Sequence, residues 1–144
     1  MSQMDAHSQV AQLIQQANQA QKTLEAYDQA AVDELVTAAA WALVNPENNQ
    51  KLSQLAVAET GLGKVSDKIT KNHRKTLGLL RDMKGAKTVG VIKRDTQMGI
   101  VEIARPVGIV GAIVPSTNPV ATPMNMILNA LKCRNAIILS PSPK

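Results

Sequence analysis

Two short uncharged runs, each closed by a proline, constrain this chain more than any other feature. Residues 107–114, VGIVGAIV, contain only Val, Ile, Ala and Gly, the composition of a strand covered on both faces of a parallel sheet. The run stops at Pro115. In Pro115-Ser116-Thr117-Asn118-Pro119 three small polar residues lie between two of locked φ, which predicts a loop at the carboxyl end of the strand. A helix is expected over residues 120–132, with Pro123 tolerated because it falls in the first turn. A second apolar strand, residues 136–139, runs into another proline-locked loop, Ser140-Pro141-Ser142-Pro143. Parallel strands joined by a helix make a right-handed βαβ unit with both loops on one edge of the sheet. Open α/β sheets bind their ligands at that edge. Two strands cannot form a doubly wound core, so the pattern is half of a dinucleotide-binding sheet.

The preceding residues read as helices and one hairpin. In residues 4–27, Val10, Leu13, Ile14, Ala17, Ala20 and Leu24 recur at spacings of three and four, the stripe of an amphipathic helix. Its polar face is nearly all Gln and Asn, so the stripe needs a protein surface to cover it. A detachable targeting helix is the alternative, but no flexible linker follows. Asp28 is a candidate cap for a second helix with the stripe Val32, Leu35, Val36, Ala39, Ala40 and Leu43. Asn45-Pro46 ends it and starts a third, expected to turn Leu52, Leu55 and Ala56 inward and to close at Gly61 and Gly63. Gly61-Leu62-Gly63 lacks the third glycine and the preceding strand of a phosphate loop, so it reads as a helix terminus.

Ser66 is expected to open a fourth helix over residues 67–83, with Ile69, His73, Leu77, Leu80 and Met83 on one side and Lys68, Lys71 and Lys75 on another. His73 has no second ligand at metal spacing and is assigned no catalytic role. Residues 88–93 and 100–104, with turn residues between them, predict a β-hairpin whose edge favours pairing with another subunit. The chain thus divides into a helical cap (1–85), a hairpin arm (86–105) and a βαβ unit (106–144).

Charge is unevenly spread. Residues 1–63 hold seven acids and two bases, whereas residues 64–95 hold ten bases and three acids, a local +7 within a total of +5. Such a field favours an anionic partner, be it nucleic acid, a nucleotide cofactor or a sulfonate; solvation of one helix face is the simpler account. The basic stretch has no aromatic residue for base stacking and no recognised binding motif, which weighs against nucleic acid. With Trp41 and Tyr27 as the only aromatic residues, any core must be aliphatic. The single cysteine, Cys133, precludes an internal disulfide and fits a reducing compartment. No apolar run approaches ~18 residues and the first ten residues are neither basic nor apolar, so a soluble, cytoplasmic protein is expected.

VGIVGAIVPSTNPVATP followed by NALKCRNAIILSPSPK resembles the CoA-acylating branch of the aldehyde dehydrogenase superfamily, and most of all its acylating sulfoacetaldehyde dehydrogenases. AAAWALV, ETGLGKVSDKITKNHRKTLGLL and GIVEIARPVG resemble it too. The similarity covers nearly the whole chain but only the first part of the family's pattern. It implies an α/β fold: a helical cap and a hairpin arm that pairs with a neighbouring subunit, leading into the first βαβ unit of an incomplete Rossmann-like cofactor domain. It also implies oxidation of an aldehyde, with NAD or NADP and with CoA as co-substrate, through a cysteine thiohemiacetal. The nucleophile comes from a later domain, so this chain alone is expected to be inactive and Cys133 to be structural.

The resemblance gives Asn118 the role of oxyanion donor. An ungapped match over the prolines puts Thr117 there instead, so both are candidates; an Asx-turn or helix cap is the non-catalytic alternative for Asn118. Pro115, Ser116, Ser140, Pro141 and Ser142 are the candidate cofactor contacts. Where non-acylating relatives commonly carry a lysine and a glutamate, this chain has Ser140 and Pro143, which leaves the choice between NAD and NADP open. A non-catalytic oligomerising or regulatory subunit is the alternative of a different class.

Overall fold

The computed structural model describes residues 5–142. Helices α1 (Ala6–Glu25), α2 (Gln29–Val44), α3 (Pro46–Thr60) and α4 (Val65–Met83) precede a hairpin, β1 (Gly90–Asp95) and β2 (Ile100–Ala104). The chain then forms β3 (Ile109–Val114), α5 (Ala121–Lys132) and β4 (Ala136–Pro141). β3 and β4 pair in parallel from Ile109 opposite Ala136 to Val114 opposite Pro141. Four helices, a hairpin and a β3–α5–β4 unit thus follow one another along the chain.

Several boundaries follow directly from local chemistry. The Asp28 carboxylate accepts from the backbone N–H of Ala31 and starts α2. The Asn45 side chain accepts from Glu47 and Asn48, and Pro46 occupies the first helical position of α3. Gly61 closes that helix in the left-handed conformation at φ 66°, as expected of a helix terminus. In the hairpin, the Asp95 carboxylate accepts from Gln97 and Met98, which folds the turn between β1 and β2.

The core lies where α2, α4 and α5 meet. Val32, Val36, Ala40 and Leu128 are buried there, with Leu79, Leu80, Met83 and Met124 packed around them. It is aliphatic, and Trp41 lies 60% exposed at the surface. Helix α1 docks elsewhere, against β3 and β4. Only Ala17 of its stripe is buried, while Val10, Leu13 and Ile14 face solvent.

Four expectations need correction. First, β3 is not covered on both faces by the described residues: Ala112 and Val114 are buried whereas Ile113 is 81% exposed, because successive side chains point to opposite faces and little packs over the face that carries Ile113. Second, α3 turns Asn49, Ser53 and Ala56 inward, leaving Leu52 and Leu55 exposed. Third, α4 starts at Val65 with no side-chain cap, and its buried residues are Lys68, Asn72 and Thr76, so His73 and Leu77 face outward and Lys68 does not. Fourth, β4 runs on through Ser140 and Pro141, which pair with Ile113 and Val114 and are strand residues, not loop.

One polar cluster explains the second and third corrections. The Asn72 amide donates to Asn49 Oδ1 at 2.9 Å and to Ser53 Oγ at 3.1 Å, and the Asn49 amide donates to the Ile69 carbonyl at 3.0 Å. Once satisfied in this way, polar side chains can be buried between two helices. They also fix the rotation of α4 about its axis. Further along, the buried Lys132 ammonium pairs with Asp33, and Thr88 bonds Gln29 and the Lys132 carbonyl. These contacts tie the start of the hairpin to α2 and α5.

Candidate functional site

Val114 is the last residue of β3, and the loop that follows, residues 115–119, has a cleft on either side. On one side Pro115, Ser116 and Pro119 line a cleft of about 370 Å3 with Pro141, the last residue of β4, and Ser142, which follows it. The parallel register brings these two strand ends together, as the βαβ pattern predicts. Helix α3 completes the wall with Glu59 and Thr60. The cleft thus holds two prolines of the first loop, the Ser116 and Ser142 hydroxyls and one carboxylate. Hydroxyl and carboxylate groups at the carboxyl ends of parallel strands suit the sugar of a dinucleotide. Ser140 is exposed and lies one pair back in the ladder, opposite Ile113. Pro143 falls outside the described residues.

On the other side Asn118 faces α4. Its backbone N–H donates to the Pro115 carbonyl at 3.3 Å. Its side-chain oxygen accepts a hydrogen bond from the Lys71 ammonium. The N-cap position of α5 is Val120, whose side chain makes no capping bond, and the Asn118 side-chain oxygen is engaged by Lys71 across the cleft. With Oδ1 held by Lys71, the amide Nδ2 is left to act as a donor. Thr117 is exposed and lines neither cleft.

Lys71, Lys75 and Asn118 line a cleft of about 280 Å3 together with Thr122, Asn125 and Met126 of α5. Lys71 and Lys75 also line a wider opening of about 500 Å3, which adds Asp67, Thr70 and Arg74. Burial, and then the nearby Lys68 charge, hold the Lys71 ammonium below the ordinary lysine pKa of 10.5. A cation that is desolvated and crowded by a like charge favours an anionic neighbour.

The structure thus brings together Pro115, Ser116, Pro141 and Ser142, and separates them from Asn118. Lys71, Glu59, Thr122 and Asn125 line these clefts and were not among the sequence candidates. The clustering of bases in residues 64–95 was the one available signal for Lys71. Cys133 follows the last residue of α5 and is exposed, away from both clefts. Its cationic neighbours are engaged elsewhere: Lys132 pairs with Asp33, and the Arg134 guanidinium donates to the Glu25 carbonyl at 2.7 Å.

The sequence model of the aldehyde dehydrogenase family matches residues 2–144. An acylating sulfoacetaldehyde dehydrogenase of Cupriavidus necator is 62% identical over 94% of this chain, which spans 27% of that relative's length. An acetylating succinate-semialdehyde dehydrogenase of Clostridium kluyveri is 42% identical, again over 94% of the chain and 29% of the relative. Among solved structures, an acetylating aldehyde dehydrogenase from Geobacillus thermoglucosidasius superimposes with a TM-score of 0.90 at 43% identity, over 94% of this chain and 30% of its own.

Proposed function

As the chain belongs to the aldehyde dehydrogenase family, we propose that it forms the amino-terminal portion of an enzyme that oxidises an aldehyde to its acyl-CoA. Asn118 carries this reading. Its carboxamide is held at Oδ1 by Lys71, so Nδ2 is available to stabilise the oxygen of a substrate carbonyl as negative charge develops there. The cleft on the opposite side of the same loop, with Ser116, Ser142 and Glu59, holds part of the nicotinamide cofactor, NAD or NADP. That cofactor accepts the hydride. The nucleophilic cysteine lies outside these residues.

The substrate is an aldehyde with an anionic tail, sulfoacetaldehyde in the first instance. Relatives named for sulfoacetaldehyde and for succinate semialdehyde support this, as does the basic lining of the cleft at Asn118. The β1–β2 hairpin is the oligomerisation arm. Val91, Ile100, Val101 and Ile103 on it are all more than 40% exposed, and exposed apolar strands of this kind are suited to pairing with a second subunit.

The test compares two polypeptides. The 144-residue chain alone should form no NADH or NADPH with aldehyde and CoA, whereas a full-length enzyme containing it should do so only when CoA is present. CoA-dependent activity of the short chain, or its absence from the long one, overturns the proposal.

A further inference from the structure

The cleft between α4 and α5 has a polarity that oxyanion stabilisation alone does not require. Lys71 donates one of its ammonium hydrogens to Asn118 and has two left. Lys75 stands one turn, about 6 Å, further along the same helix. The facing wall from α5 offers Thr122 and Asn125, and among the described residues no carboxylate lines this part of the cleft. Asp67, beside the wider opening, is the one acid nearby among the lining residues, against the cations Lys71, Arg74 and Lys75. An anion entering here therefore meets two ammonium groups and the polar side chains of α5.

Spacing indicates what kind of anion fits. The Lys71 ammonium and Asn118 Nδ2 are separated by one hydrogen bond plus the width of a carboxamide, roughly 5 Å. The carbonyl oxygen and the sulfonate oxygens of a two-carbon aldehyde lie a similar distance apart, roughly 4–5 Å by ordinary bond lengths. We propose that Lys71 and Lys75 bind the anionic tail, a sulfonate or carboxylate, of a short aldehyde whose carbonyl oxygen rests on Asn118. This rests on the reading of Asn118 as oxyanion donor and adds the residues that select the substrate. Lys71 serves a tail two carbons long, and Lys75 one that reaches a helical turn further. The lowered pKa of Lys71 accords with a site completed by an anion.

The experiment measures kcat/KM of the full-length enzyme for sulfoacetaldehyde, succinic semialdehyde and uncharged propanal, with CoA saturating and then varied. Lys71→Met should lower the sulfoacetaldehyde-to-propanal ratio about 10- to 100-fold, the usual worth of a hydrogen bond to a charged group, and Lys71→Arg should restore most of it. Lys75→Met, at an exposed position where folding is not at issue, should lower the ratio for succinic semialdehyde more than for sulfoacetaldehyde. Ratios unchanged in both methionine variants overturn the inference. So does a rise in KM for CoA with the aldehyde ratios intact, because the cations would then serve the phosphates of CoA. Loss of CoA-dependent turnover on every aldehyde by the unsubstituted enzyme would instead remove the parent reading. Turnover without preference for a charged tail removes only the inference.

Discussion

The two clefts beside residues 115–119 share a loop and differ in almost everything else. The cleft toward β4 is lined by prolines, hydroxyls and the Glu59 carboxylate. The cleft toward α4 is lined by Lys71, Lys75 and the amides of Asn118 and Asn125. One strand end therefore presents an acidic side and a basic side within five residues. The difference comes from the helix behind each cleft: α3 contributes its carboxyl-terminal end to the first, and α4 contributes a lysine face to the second. A proline-locked loop can serve both because its own side chains are small and neutral, which leaves the helices to set the charge.

Asn118→Ala tests the comparison most severely, since the residue belongs to the basic side but serves every substrate. In the full-length enzyme it should lower kcat by about 10²-fold or more for charged and uncharged aldehydes alike. Steady-state kinetics decide this, and unchanged turnover would move the donor role to Thr117. Next comes Asn72→Ala, which leaves Asn49 and Ser53 without their buried partner. It should cost about 1–3 kcal/mol of stability, read as a lowered denaturant midpoint, and should blunt the preference for charged tails because α4 loses its fixed rotation.

Glu59→Gln acts on the acidic side only. It should raise KM for the nicotinamide cofactor a few-fold, about the loss of one hydrogen bond, and leave the aldehyde ratios alone. A shift in those ratios would show that the clefts are not independent.

Acid titration of the Asp33–Lys132 pair should have the smallest effect. Desolvation acts to raise the Asp33 pKa, but hydrogen bonds from Lys132 and Gln29 and the Lys132 charge outweigh it and hold the pKa below 3.8. A carboxylate depressed on folding contributes stability above its unfolded pKa and loses it as pH falls through the folded value. Asp33→Asn should therefore flatten the acid limb of the stability curve below about pH 4, slightly, since the Asp33 side chain remains 45% exposed. Neither cleft should respond.

Much of the fold was legible because its signals are local. Asp28, Asn45-Pro46, Gly61 and the Asp95 turn each mark a boundary through a bond to a backbone group a few residues away. The uncharged runs ending at prolines marked the parallel strands, and the loop that carries Asn118 came with them. Periodicity found Ala56, Leu80 and Met83 on the inner faces of α3 and α4 but missed the rest, because it identifies a buried face by its apolar residues, whereas the face buried here also carries Asn49, Ser53, Asn72 and Thr76. Nothing in a single helix distinguishes a polar face in water from one satisfied by a neighbouring helix.

By itself, then, the sequence determined the order of elements, the two strand ends and the small polar residues placed on them, since these follow from backbone restraint and short-range hydrogen bonding. Tertiary structure alone decided that Lys71 reaches Asn118 across 47 residues, that Glu59 closes the other cleft and that Lys132 turns toward Asp33. Such pairs depend on how helices are rotated and packed against one another, and long-range packing sets that rotation.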